Sequence, residues 1–209
     1  MKIISICLLV LSFFSCNEKE KDNPEETPAN TDSLLITETN WGMIRQNMGL
    51  EDLRELFGGN EVKDSTIYGP EGMDTLQVTF LLSGKPGEII VNWRDSFYHQ
   101  KISFIEAYNP ASPYHTERGL KIGSSLKELL AANGKQINFT GFGWDYGGYI
   151  MSYNGGKLDS ADILFTLSGF EEMPDGLYGD SELNTSDSLV QKYLDKIRIG
   201  SMMLRFNEH

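Results

Sequence analysis

Between Phe139 and Tyr149 the chain sets Phe139, Phe142, Trp144, Tyr146 and Tyr149 among Gly141, Gly143, Gly147 and Gly148, with Asp145 between the rings. Flat aromatic faces beside an acceptor carboxylate suit stacking on a sugar, with a hydrogen bond from a sugar hydroxyl. They equally suit an anchor for a protein partner, since a few large rings carry most of the energy at such interfaces. Core packing is the third reading: glycines allow a sharp bend or bulge, and rings fill the space above a sheet. Trp144, Asp145 and Tyr146 are the candidate ligand-binding residues, with a protein as the leading partner class and a glycan as the alternative.

Catalytic chemistry is thinly represented. The histidines are His99, His115 and His209, none at metal-ligand spacing, and no His-Glu-x-x-His helix is present. There is no Gly-x-Ser-x-Gly elbow, and the cysteines, Cys7 and Cys16, lie outside the expected globular region. No glycine-rich segment carries the Gly-Lys-Ser/Thr pattern that cradles phosphate. The acidic stretch Glu171, Glu172, Asp175, Asp180 and Glu182 offers oxygens of the kind Ca²⁺ takes, but at no spacing of a known calcium loop. The expectation is a non-enzymatic protein with no cofactor and no metal.

A short pattern recurs in the chain: Asp32-Ser33-Leu34, Asp64-Ser65-Thr66, Asp74-Thr75-Leu76, Asp159-Ser160-Ala161 and Asp187-Ser188-Leu189. Roughly one such match is expected by chance. The pattern resembles the O-glycosylation sequon used on exported proteins by one group of Gram-negative bacteria. That resemblance implies modification at some of Ser33, Ser65, Thr75, Ser160 and Ser188.

The amino terminus concerns address. Lys2 precedes an apolar run from Ile3 to Phe14, broken by Ser5 and Ser12. This is too short to span a bilayer, which takes about 20 residues, and suits the apolar region of an export signal. The run ends Phe13-Phe14-Ser15-Cys16, which resembles the lipobox of bacterial lipoproteins, with Phe13 where leucine is usual. The resemblance implies removal of residues 1–15 and a lipidated Cys16. Residues 16–40, with Glu18, Glu20, Asp22, Glu25, Glu26, Asp32 and Glu38 and interrupted by Pro24 and Pro28, read as a disordered acidic tether. Glu18 to Asp22 resembles the signals that send some lipoproteins to the outer face of the cell. The expected location is the outer membrane of a Gram-negative bacterium, held by lipid, facing an envelope protein partner.

Residues 41–209 then form the body. The chain of 209 residues carries net charge −12, so nucleic acid repels it and DNA or RNA is excluded as a partner. Its 11 Phe, 9 Tyr and 3 Trp are enough for a real core. Placing Ile44-Arg45 over Leu120-Lys121 brings Leu50, Asp52, Leu53 and Gly58 onto Leu126, Glu128, Leu129 and Gly134. Each copy reads as approach strand, cap, short helix and terminating glycine. Strands are expected at 75–82, 88–93, 101–108, 136–140, 148–153, 157–158, 162–167 and 196–206, with a third short helix at 186–193. Asn154-Gly155 marks a hairpin turn. The fold class is α+β, an antiparallel sheet with short helices in two tandem helix-plus-strands repeats, 41–110 and 115–209.

This organisation resembles the tandem repeat of the β-lactamase-inhibitor protein and of the small outer-membrane assembly lipoprotein. Gly42-Met43-Ile44-Arg45, Asp52-Leu53 with Phe57-Gly58, residues 117–123 and residues 141–148 further resemble a set of uncharacterised exported bacterial proteins. That family implies no activity and no site residues.

Overall fold

Helix α1, Leu50–Phe57, forms where its stripe places Leu53 fully inside and Leu50, Leu56 and Phe57 against the core. The Gly49 N–H donates to the Asp52 carboxylate at 2.7 Å, which satisfies one of the amides a helix start leaves open. At the other end Gly58 takes φ 87° and its N–H donates to the Arg54 carbonyl. Helix α2, Leu126–Asn133, is capped by Ser125: the Glu128 N–H donates to Ser125 Oγ at 3.2 Å, and the Ser125 N–H donates to the Glu128 carboxylate at 2.7 Å. Gly134, at φ 75°, closes it with a bond to the Leu130 carbonyl.

After each helix comes a four-strand meander. The first is β4 (Val62–Tyr68), β5 (Thr75–Leu81), β6 (Ile89–Trp93) and β7 (Ile102–Ala107), each antiparallel to the next. The second is β9 (Asn138–Thr140), β10 (Ile150–Ser152), β11 (Ile163–Ser168) and β13 (Arg198–Arg205). Here β9 pairs with β10, a Tyr149–Thr166 bridge leads on to β11, and β11 pairs with β13. The two meanders meet where β13 pairs antiparallel with β7, giving a six-stranded sheet in the order β11-β13-β7-β6-β5-β4. Both helices are tied in the same way. The Leu50 N–H donates to the His99 carbonyl at 3.0 Å, and the Leu126 N–H to the Ile197 carbonyl at 2.8 Å, each acceptor lying just before the last strand of its meander. The α+β fold is as expected, with a capped helix followed by strands in both halves, but of the two expected approach strands only Ile44–Arg45 forms; residues 120–121 are not strand.

Smaller pieces complete the body. Strand β12, Glu182–Asn184, pairs with the free side of β9, and α3, Ser188–Gln191, is a single turn. Strands β1 (Leu35–Ile36), β2 (Asn40–Trp41), β3 (Ile44–Arg45) and β8 (His115–Thr116) form a second sheet in the order β3-β2-β1-β8. The computed structural model describes residues 32–69, 72, 75–95 and 97–206. Among the described residues no helix is long and apolar enough to cross a membrane.

Two further expectations need correction, and one strand was not expected at all. The acidic tether does not extend to residue 40: Leu35 and Ile36 are buried, and β1 pairs in parallel with β8. The apolar pair inside an acidic stretch outweighs the average composition around it, because burying Ile36 offsets the entropy of ordering. Cys16 and the rest of the expected tether up to residue 31 lie outside the described residues. Residues 157–158 are turn, not strand. Asn154 and Gly155 do take the paired positive φ of a type I′ turn (54° and 65°). The returning chain, however, hydrogen-bonds to Asn133 instead of to β10. Finally, the polar segment Val62–Tyr68 is a full strand paired along its length with β5. At the sheet edge only Val62 is buried, so no alternation marks it.

Candidate functional site

The segment 141–149 is a wide loop between β9 and β10, held shut by its own backbone. The Thr140 N–H donates to the Tyr149 carbonyl at 2.9 Å, and the Gly148 N–H to the Thr140 carbonyl at 3.1 Å. Thr140 Oγ1 donates to the Tyr146 carbonyl at 2.5 Å and accepts from the Tyr149 N–H at 3.0 Å. On its outer side the loop docks on residues 177–181: the Phe142 N–H donates to the Leu177 carbonyl, the Gly179 N–H to the Phe142 carbonyl, and the Gly141 N–H to the Ser181 carbonyl. Gly143, at φ 86°, has the Tyr178 ring so near that a Cβ would stand 2.9 Å from it.

This loop sorts its rings. Phe139 and Phe142 are buried in the core, their centroids 6.0 Å apart. Trp144, Tyr146 and Tyr149 stand outside it, 39%, 48% and 53% exposed. The Trp144 and Tyr146 rings meet edge to face at 5.4 Å and 64°, a favoured aromatic geometry. Trp144 Nε1 donates to the Gly141 carbonyl at 3.0 Å, so the indole offers a visitor its face and not its N–H. Asp145 is exposed beside them. Phe142, Trp144, Phe170, Met173 and Tyr178 line an open depression with Glu171 at its rim. Of the three readings of this segment, the core reading holds for Phe139 and Phe142, and a surface reading for Trp144, Asp145 and Tyr146. With collisional quenching by acrylamide, the accessible part of the tryptophan fluorescence is expected to come from Trp144, since Trp41 and Trp93 are buried. Trp144→Phe should remove most of the quenchable emission; an unchanged quenching curve would contradict the placement.

The other candidates are scattered. Ser33, Thr75, Ser160 and Ser188 are exposed, while Ser65 is half-buried in β4. Among the described residues no three His, Cys, Asp or Glu side chains gather as metal ligands, and the acidic stretch 171–182 is no exception. His99 stacks on Trp93 at 4.9 Å with its Nδ1 3.9 Å from Asp64, and His115 Nε2 lies 3.4 Å from Asp32. Trp93 Nε1 donates to Thr79 Oγ1, which in turn donates to Asp64 at 2.6 Å, so the buried Thr79 hydroxyl is engaged on both sides.

Sequence reasoning missed one surface. Glu106, the penultimate residue of β7, sits on the sheet face turned away from the helices, where it accepts hydrogen bonds from Asn92 Nδ2 at 2.9 Å and from the Tyr108 hydroxyl. Burial pushes its carboxyl above the ordinary carboxylate range, against the pull of those two bonds. The available signal was the run Phe104, Glu106, Tyr108, whose spacing of two places a carboxylate between rings on one face of a strand.

No protein-family model matches this chain, and no curated protein matches it. Among solved structures it is similar to the uncharacterized protein yfeY from Escherichia coli, at 14% identity and a TM-score of 0.49, over 81% of this chain and 97% of that one.

Proposed function

We propose that this chain is a lipid-anchored cell-envelope protein of a Gram-negative bacterium whose α+β body is a non-enzymatic binding module for a protein partner. The observation that carries the binding reading is the exposure of Trp144, Tyr146 and Tyr149, outside the body's own buried core. Large rings held rigid by backbone bonds lose little entropy when a partner covers them, which is the character of an interface anchor. The lipobox-like Cys16 supplies the address. Each buried CH₂ of its acyl chains contributes about 0.8 kcal/mol, so more than one chain gives durable anchoring.

One experiment tests both halves. The chain is expressed in a lipoprotein-processing host with a photo-crosslinking residue at position 149, or at position 131 on the exposed side of α2 as control. Palmitate label should enter the protein and vanish with Cys16→Ala, and position 149 should give a discrete protein adduct that position 131 does not. Intact mass on the same material reads sugars at Ser33, Ser65, Thr75, Ser160 and Ser188. A chain without label, or equal smears from both positions, would overturn the reading. The exposed pairing of Trp144 with Asp145 favours a glycan as second reading; adducts carrying only saccharide would promote it.

A further inference from the structure

The six-stranded sheet presents two different faces. In one register row Ile163, Leu204, Ile105 and Val91 pair across four strands and all are buried in the core shared with Leu53, Leu126 and Leu129 of the helices. One residue along, pointing the other way, Leu164, Met203, Glu106, Ile90 and Phe80 pair across five strands. Each is half-buried, and none of the apolar four belongs to the core or packs against it. The next row holds Tyr149 bridged to Thr166, and Thr166 paired with Ser201. Tyr108, on this face through its bond to Glu106, is 52% exposed, and Met151 beside Tyr149 is 51% exposed. Tyr149 therefore belongs both to the aromatic loop and to this face.

An antiparallel sheet with one face on the core ordinarily carries polar groups on the other. This one carries mainly apolar side chains around one carboxylate, with two exposed cations set apart from it: Lys63 on β4, paired with Phe80, and Arg205 near the end of β13, paired with Phe104. Glu106 makes no ion pair among the described residues, and its two hydrogen-bond donors, Asn92 and Tyr108, are both neutral. A carboxylate accepts at about four lone-pair positions, so its two neutral donors leave room for a cationic one, in a half-buried setting that favours pairing the charge. A second copy packed face to face about an axis through Glu106 would set the two carboxylates together, which like-charge repulsion disfavours.

We propose, resting on the binding-module reading, that this open sheet face docks a protein segment that lays apolar side chains over Leu164, Met203, Ile90 and Phe80 and sets one Lys or Arg on Glu106. Charge complementarity selects this occupant: the cation takes the room left on the carboxylate, and its flanking residues cover the apolar row.

The test pans a phage-displayed library of random linear peptides against the full chain held in phosphatidylcholine nanodiscs. Enriched peptides should share a Lys or Arg flanked by apolar or aromatic residues. Their affinity should fall at least about 30-fold with Glu106→Gln and similarly with Met203→Asp. Glu106→Gln should at the same time stabilise the fold. Because burial raises the native carboxyl's pKa, the native state holds the proton longer than the unfolded chain, so stability is lost as pH rises from the ordinary value through the raised one. The variant lacks that loss, and its urea midpoint at neutral pH should rise. Weaker binding in a more stable protein is not what a merely structural Glu106 would give. Enrichment of peptides without a basic residue, or binding indifferent to Glu106→Gln but lost with Trp144→Ala, would overturn the inference and leave the binding reading standing. No enriched peptide at all would overturn both. A dimer in sedimentation that Met203→Asp dissociates would give the face to a second copy instead.

Discussion

Asn133→Asp is expected to remove about 4 kcal/mol of stability at neutral pH, a large part of the 5–15 kcal/mol typical of a domain. The change is isosteric, so the loss comes from hydrogen-bond polarity alone. Asn133 is buried at the last position of α2, and its Nδ2 donates to the Lys135 carbonyl at 2.8 Å and the Tyr153 carbonyl at 2.9 Å. Its Oδ1 accepts from the Leu158 N–H at 3.2 Å. The side chain thus joins the end of α2, the turn after β10 and the chain leading to β11. An aspartate puts a second oxygen against two carbonyl oxygens. Ionised, it is a buried charge facing negative dipoles; protonated, it has one proton for two acceptors, and one carbonyl goes unpaired at a cost of about 1–3 kcal/mol. Gly156 leaves no slack, since a Cβ there would stand 2.1 Å from Asn133 Oδ1. The new carboxyl should stay protonated above the ordinary aspartate value of about 3.9. The deficit should therefore grow as pH rises through that value and shrink in acid. Urea unfolding at pH 4 and pH 7 reads both the size and the sign. A loss under 1 kcal/mol, or a deficit that grows in acid, would contradict this account of the buried amide.

Gly148→Ala should cost about 3 kcal/mol or more, and Gly134→Ala only about 1 kcal/mol. Both glycines have φ 75°, so both substitutions carry the same left-handed strain. They differ in what a Cβ would meet. At Gly134 the nearest atom is the mobile Lys157 Cε at 3.9 Å; at Gly148 it is the Leu167 carbonyl oxygen at 2.0 Å, with the carbonyl carbon at 2.8 Å. A backbone carbonyl in a strand cannot swing aside as a lysine tip can. The loop must lift from β11, which breaks the 2.8 Å bond from the Leu167 N–H to the Gly148 carbonyl and the neighbouring Tyr149–Thr166 bridge. Denaturant unfolding gives the two costs, and hydrogen exchange at the Leu167 amide reports whether the seam opens. Equal costs for the two variants would show that the close approach at Gly148 does not exist.

In the proposed function Gly148 matters because that seam is where the exposed rings meet the open sheet. Tyr149, the next residue, is the last ring of the aromatic loop and the bridge to Thr166 on the face that holds Glu106. Lifting the loop from the sheet would separate the two surfaces. The proposed partner would then lose either the rings or the carboxylate, although neither would have been mutated.

Read from the chain alone, Ser125, Glu128 and Gly134 marked where α2 begins and ends, and Gly58 marked the end of α1. Asn154-Gly155 marked a turn, and most strands were legible from their residues. These features depend on atoms a few residues apart: a hydroxyl reaching an amide, a backbone angle that only glycine takes without strain. The tertiary structure alone decided which face each strand turns inward. Phe142 and Trp144 are two residues apart, which in a regular strand would put them on one side. Gly143 at φ 86° breaks that alternation, so one ring enters the core and the other stays out. Leu35 and Ile36 read as part of an acidic tail until β8, far along the chain, supplies their partner. Glu106 reads as an ordinary surface glutamate of a strand until β6 and β13 pair on either side and surround it with apolar neighbours. Burial is a property of pairings made over long sequence separations, and local residue chemistry holds no record of them.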